Sequence, residues 1–342
     1  MNQKITAMNQ KISKYMNIKR VEFIVTWQCG GKCKHCQIGD EINKPSSHKS
    51  VIPGYAADAI KKIKAAYNVT SVMTFGGEPL YYPETTAAIH KAATECGIKT
   101  RQIITNGYFT NNPEKSKAVA NALADAGVNS LLLSVDAFHQ ERIPLEPVYR
   151  FANDAVDARI PGFRLHPAWL ISEDDQNPYN TKTKALLKKF ATLPIEISNG
   201  NNIHPGGSAA KFLREHFQQE ELNLTQSCGI APHTEPLTDI NSISIVPNGD
   251  VMICGFVIGN IYNDDALDIL ARYNPNKNDG MCALIKGGVA GLRCYAKTKG
   301  IQVNPSDYCD ACDVCHAIVK QLYASSLLSE MTPWGHYRFS QK

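Results

Sequence analysis

Three cysteines stand within eight residues, Cys29, Cys33 and Cys36 in Cys29-Gly30-Gly31-Lys32-Cys33-Lys34-His35-Cys36, directly after the apolar run of residues 21–26. Three thiolates in one short loop can bind three irons of a cubane [4Fe-4S] cluster and leave the fourth open, whereas an electron-carrying cluster normally takes four protein thiolates. An open iron is a place for chemistry. Two other readings compete for the same residues. Structural zinc sites show closely paired cysteines with a fourth ligand nearby, and His35, inside the loop, cannot easily turn its ring inward beside both neighbours. A disulfide staple belongs with an oxidising compartment and a secretory signal, but residues 1–20 are polar and contain no apolar core segment.

Seven of the eleven cysteines fall after residue 218: Cys228, Cys254, Cys282, Cys294, Cys309, Cys312 and Cys315. Residues 242–246, Pro247-Asn248-Gly249-Asp250 and residues 251–254 read as a hairpin around an Asn-Gly turn that delivers Cys254 to a fixed place. Cys309-Asp310-Ala311-Cys312-Asp313-Val314-Cys315 opens an apolar-periodic helix. Two thiolates three apart at a helix start can grip adjacent irons, and a helix N-terminus lowers thiol pKa. Cys228, Cys254, Cys312 and Cys315 form the preferred set for one auxiliary [4Fe-4S] cluster, with Cys309 able to replace either of the last two. Two auxiliary clusters, or zinc on the same residues, are the alternatives. Cys96, near a helix end, reads as a small buried hydrophobe.

The elements that must position these groups follow a regular alternation. Short apolar or β-branched runs recur at 21–26, 71–75, 102–105, 130–134, 163–170 and 195–198, with helix-length stretches at 55–67, 84–95 and 114–126 between them. Proline precedes each of these three stretches, and glycine follows the last two, as expected of helix boundaries. Strands alternating with helices imply right-handed crossovers and a parallel sheet. Six units predict an α/β fold, a partial (β/α)6 barrel over residues 16–217, with a small iron-sulfur extension over 218–342. The repeated Met-Asn-Gln-Lys-Ile at residues 1–5 and 8–12 predicts disorder over 1–15.

Composition bounds the rest. The chain has 342 residues, 43% hydrophobic and 20% charged, with a formal net charge of +4. That suits an ordinary globular protein of one large domain, or one plus a smaller one. Lys and Arg are spread without a dense basic tract, so nucleic-acid binding gets no support. No apolar stretch reaches membrane-spanning length. Many cysteines without a signal peptide suggest reduced thiols in the cytoplasm.

Ligands of parallel barrels sit at the carboxyl ends of the strands. Gly76-Gly77-Glu78-Pro79 follows the second run; taken alone it is a tight turn. Asn106 follows the third, Ser134 and Asp136 the fourth, and Arg164 and His166 alternate along the fifth.

The Cys29, Cys33 and Cys36 spacing, C-x3-C-x2-C after a first strand, together with Gly76-Gly77-Glu78-Pro79 after the second, resembles the radical S-adenosylmethionine (radical SAM) enzymes. His35 departs from the aromatic residue often found before the last cysteine. The resemblance implies that the open iron is chelated by S-adenosylmethionine, that Gly76, Gly77, Glu78 and Pro79 meet its amino group, and that Ser134 and Asp136 contact its ribose and carboxylate; Arg164 and His166 are candidates to neutralise that carboxylate, with an internally paired or solvated arginine as the alternative, and Asn106 is a candidate cofactor contact or only a turn residue. The later cysteines resemble the twitch or SPASM extensions of members that modify ribosomally made peptides, with Gly249 to Cys254 fitting the Gly-x4-Cys piece, although the remaining spacings depart from the full pattern. The expected reaction is hydrogen-atom abstraction from a peptide residue, leading to epimerisation, a crosslink or a thioether. Cys282, Cys294 and Cys309 are the candidate hydrogen-atom donors, and a reductase or flavodoxin is the expected electron donor. A small-molecule or cofactor-biosynthesis substrate is the alternative, and a non-catalytic iron-sulfur carrier or redox sensor is the alternative of another class.

Overall fold

The computed structural model describes residues 12–39, 48–217, 221–230 and 234–325. Most of the N-terminal repeat therefore lies outside the described residues. Residues 13–15, expected to be disordered, are instead ordered: Ser13 is buried and its hydroxyl donates to the Tyr273 carbonyl at 2.7 Å.

Strands and helices alternate as the periodicity predicts. β1 (Met16–Ile24), β2 (Ser71–Phe75), β3 (Thr100–Thr105), β4 (Ser130–Leu133), β5 (Phe163–Leu165) and β7 (Glu196–Ile197) pair in parallel in that order. Between them run α1 (Pro53–Ala66), α2 (Pro83–Glu95), α3 (Pro113–Asp125), α4 (Leu145–Asp157) and α5 (Pro178–Lys188). Proline occupies the first turn of α1, α2, α3 and α5, where its missing N–H is no loss. Asn112 caps α3 by accepting from the N–H groups of Glu114 and Lys115.

The fifth run, expected as one strand over 163–170, is broken. Pro167 has no N–H for the ladder, and beyond it β6 (Ala168–Trp169) pairs with β8 (Asn201–Asn202) as a separate two-stranded sheet. The two pieces prolong the fifth and sixth barrel strands, and α6 (Ser208–Phe212) follows the sixth. The result is the partial (β/α)6 barrel.

The segment after residue 218 continues the same sheet. β9 (Ile240–Ile245) lies parallel to β1, with Arg20 opposite Ser242 and Glu22 opposite Ser244, and β10 (Asp250–Ile253) and β11 (Phe256–Asn260) extend it antiparallel. α7 (Ala266–Ala271), α8 (Asp279–Thr298) and α9 (Ala311–Ala324) follow. One apolar core runs beneath β1, β9 and β10 and includes Phe23, Ile243, Ile253, Leu292 and Ile318. Burying side chains of this size stabilises by about 1.5–3 kcal/mol each. No helix among the described residues is long and apolar enough to cross a membrane.

Side chains alternate across each strand, so the helix-facing residues Val21, Phe23, Leu131 and Leu133 are buried while their neighbours turn to the concave face. There Arg20 binds Glu22 at 2.7 Å and Gln102 at 3.0 Å, Gln102 donates to Ser130, Arg164 reaches Ser130 at 3.5 Å, and Ser244 donates to Glu22. This polar belt crosses the barrel interior from β9 to β5.

Candidate active site

The loop after β1 is locked onto the turn after β2. Gly77 N–H donates to the Thr26 carbonyl and Glu78 N–H to the Gln28 carbonyl, both at 2.8 Å. Both glycines are required by close approach. A Cβ on Gly77 would stand 2.3 Å from the Gln28 oxygen and one on Gly76, whose φ is +145°, 2.5 Å from the Thr26 oxygen. The Glu78 side chain does not face the cavity. Fully buried, it accepts from Leu80 N–H, the Thr105 hydroxyl (2.6 Å) and Asn106 N–H (2.8 Å). Burial pushes this carboxyl up to about 7 against those hydrogen bonds. Glu78 thus splices the ends of β2 and β3, and the backbone of Gly76 and Gly77 is what the turn presents.

A cavity of about 140 Å³ opens above this splice, lined by Cys29, Cys33 and Cys36 together with Gly77, Asn106 and Ser134. The three sulfurs form an all-thiol donor set, the soft ligand type that selects iron-sulfur clusters or zinc. Burial pushes the Cys29 thiol up to about 12 and raises Cys33 and Cys36 as well, so a metal binding here displaces protons. Gly31 leaves open the space between two of the thiols, since a Cβ there would lie 3.1 Å from the Cys33 sulfur and 3.4 Å from that of Cys29. The Asn106 amide donates to the Cys29 sulfur at 3.6 Å, the kind of contact that tunes a cluster. These residues fit a cubane with one corner unligated by protein.

Asp136 departs from its expected role. Its carboxylate is fully buried and taken up inside the protein, by Phe138 and His139 N–H, by Ala168 N–H and by His139 Nδ1 at 2.7 Å. It presents His139, which lines the cavity instead. His35 also lines it, its ring 4.8 Å from that of His139 and 5.2 Å from Phe138, and burial lowers it to about 4. Arg164 does not reach the cavity either; it points down to Ser130. His166 Nδ1 is held by Ser198 at 2.8 Å. Ser134 lines the cavity. Another contact went unread in the sequence. Gly207 (φ +56°) packs on the cysteine loop, where a Cβ would stand 2.5 Å from the Gln37 oxygen, and Ser208 N–H donates to the Cys36 carbonyl.

A second cysteine group forms around the turn after β10, two strands from β1. Cys254 occupies the tight turn between β10 and β11 with φ +52°, a conformation that favours glycine. It donates to Cys228, and that hydrogen bond holds the Cys228 thiol down to about 7. The charges of Cys312 and Cys315 act on Cys254, so four sulfurs converge from three segments. Cys228 is brought in by the kink of α8 at Gly287-Gly288, on which the Leu224 and Gln226 carbonyls rest. Cys312 and Cys315 lie in the first turns of α9, capped by Asp310. Cys309 instead sits among Arg214, Asp310 and Asp313.

The candidate donors are placed elsewhere. The Cys282 thiol donates to the Asn276 carbonyl, whose side chain reaches the Tyr15 hydroxyl just before β1. That is the opposite end of β1 from Cys29, so Cys282 cannot meet a group in the cavity. Cys294 is exposed on α8 in the outer layer. None of Cys282, Cys294 and Cys309 lines the cavity.

An open α/β barrel whose first strand ends in a loop of three thiols, braced by a glycine turn on the second, defines a class of enzyme that carries an iron-sulfur cluster at the strand tops. Residues 23–165 match the model of the Radical SAM superfamily. Among curated proteins it is similar to the GTP 3',8-cyclase of Alkaliphilus metalliredigens (25% identical, covering 66% of this chain and 68% of that one). It is also similar to the GTP 3',8-cyclase of Saccharophagus degradans (21% identical, covering 75% and 84%). Among solved structures it resembles native anSMEcpe with bound AdoMet, with 12% identity, TM-score 0.49 and coverage of 90% and 97%.

Proposed function

We propose that this radical SAM enzyme acts on a polar small molecule of a cofactor-biosynthesis route, bound on the concave face between a [4Fe-4S] cluster on Cys29, Cys33 and Cys36 and an auxiliary [4Fe-4S] cluster on Cys228, Cys254, Cys312 and Cys315. When bound, the first cluster and S-adenosylmethionine supply one-electron cleavage and hydrogen-atom abstraction. The chain's residues do the rest: Gly76 and Gly77 offer backbone to the cofactor, Asn106 and Ser134 line its seat, and Asp136 orients His139 beside it. A reductase or flavodoxin is the proposed electron donor.

The observation that carries this reading is the position of the polar belt. β10 runs antiparallel to β9 with Met252 opposite Ser244, which brings Cys254 to the level of Ser242, itself opposite Arg20. The first cysteine group crowns the concave face, on which Arg20, Glu22, Gln102 and Ser130 stand, and the second gathers around the turn after β10, two strands from β1. The relatives named GTP 3',8-cyclase favour a small molecule over the peptide expected from the cysteine pattern.

Anaerobically reconstituted protein with S-adenosylmethionine and dithionite is expected to release 5'-deoxyadenosine. With deuterated GTP as the first candidate substrate, deuterium should appear in that product. Deuterium transfer from a peptide but from no nucleotide or other small molecule would overturn the substrate reading, and no 5'-deoxyadenosine at all would overturn the enzyme.

A further inference from the structure

Arg164 stands out on the concave face. It is partly buried on β5, directed inward, and among the described residues its one side-chain hydrogen bond is to the Ser130 hydroxyl at 3.5 Å, a weak contact for a guanidinium. The other inward cation, Arg20, is consumed: Glu22 takes Nε and Gln102 takes one terminal nitrogen. Glu196, in register with Arg164 on β7, is exposed and forms no ion pair with it. Arginine is rarely withdrawn from water without a partner, and its planar fork of donors matches phosphate and carboxylate oxygens in pairs. The surroundings suit an anion, because Ser130 and Gln102 add neutral donors and the nearest belt carboxylate, Glu22, is already neutralised by Arg20.

The layer is also informative. Leu132 is opposite Arg164, so Arg164 lies below Ser134, which lines the upper cavity. A group held there is seated beneath the cofactor's place.

We propose that Arg164 anchors a multiply charged oxyanion of the substrate, a phosphate or carboxylate, on the concave face of the barrel. This rests on the reading that a small polar substrate binds between the two cysteine groups. The cation expected from the sequence to serve the cofactor serves the substrate instead.

The test titrates reconstituted holoprotein under anaerobic conditions with inorganic triphosphate and, separately, with citrate, reading heat of binding. Wild type is expected to bind one of the two at one site per chain, the preferred probe identifying phosphate or carboxylate as the source. Arg164→Gln should weaken it about tenfold or more, and Arg164→Lys should recover part of the loss. Glu196→Gln, which leaves Arg164 in place and removes a nearby negative charge, should tighten binding; it guards against misfolding of the Arg164 variants. Failure of wild type to bind either probe, or equal affinity in Arg164→Gln, overturns the anchor. Release of 5'-deoxyadenosine by wild type is measured in parallel. Its absence would sink the enzymatic reading while leaving the binding result to stand or fall by itself.

Discussion

The Asp136 carboxylate and His139 Nδ1 stand 2.7 Å apart at the base of the cavity, the aspartate fully buried and the imidazole at the lining. Burial opposes ionisation of Asp136, but the charge and hydrogen bonds of His139 prevail and hold it at about 2. Burial likewise opposes protonation of His139, and the Asp136 charge overcomes it, so the imidazole is raised. The aspartate's contribution to stability is present above about pH 4 and lost as pH falls toward 2. That of the histidine is present below about pH 6.5 and lost as pH rises through its raised value. Asp136→Asn is therefore expected to destabilise by about 3 kcal/mol near pH 5.5, with a smaller deficit at pH 8.5. Urea unfolding at the two pH values checks this, and equal deficits would count against a charged pair.

Glu78 has the opposite dependence. Its carboxyl is raised by burial to about 7, so the stability linked to its protonated form is complete below about pH 4.3 and lost as pH rises through 7. Glu78→Gln keeps an acceptor for Leu80 and Thr105 but turns an amide donor toward Asn106 N–H. The variant should be about 2 kcal/mol less stable at pH 5, with the gap narrowing by pH 8 because glutamine has no charge to bury. Unfolding curves for both proteins across that range are the measurement.

What could be read from the chain was local. The C-x3-C-x2-C spacing, the glycine turn behind it and the proline and glycine at helix ends are short-range features, and the structure repeats them in α1, α2 and α3 and in β1 to β4. What could not be read depends on how many partners a group finds far away. Asp136 looked like a cofactor contact because nothing nearby revealed that Ala168, thirty-two residues on, would claim its second oxygen. Gly207 meets the cysteine loop only after the sixth barrel strand has closed the turn, and Cys282 looked available until Asn276 and Tyr15 placed it at the lower rim. The continuation of the sheet through β9 was hidden for the same reason, since parallel pairing with β1 joins segments more than two hundred residues apart.

Gly77→Ala isolates the turn from the chemistry around it. The new Cβ would sit 2.3 Å from the Gln28 oxygen and 2.8 Å from the Trp27 carbonyl carbon, both backbone atoms that cannot swing away. Relief requires the cysteine loop and the turn to part, breaking the Gly77-to-Thr26 and Glu78-to-Gln28 hydrogen bonds. An overpacking loss of about 1–3 kcal/mol is expected, together with at least tenfold weaker binding of S-adenosylmethionine by reconstituted protein. Gly54→Ala, where a Cβ meets nothing within 4 Å, is the matched control and should change neither.

Iron content separates the later cysteines. If Cys228, Cys254, Cys312 and Cys315 close a second cubane, fully reconstituted wild type carries roughly eight irons per chain. Alanine at Cys228 or Cys254 should then bring the count toward about four, because these two deliver sulfurs from outside α9. Cys309→Ala should leave it unchanged, since Cys309 lies with Arg214 and Asp310 rather than among the converging sulfurs. Cys282→Ala, at the lower rim, should do the same. Iron assays paired with electron paramagnetic resonance of dithionite-reduced samples decide the matter: a Cys309 variant that loses a whole cluster would move the ligand set one position along the loop, and a full iron count in Cys228→Ala would remove that residue from it.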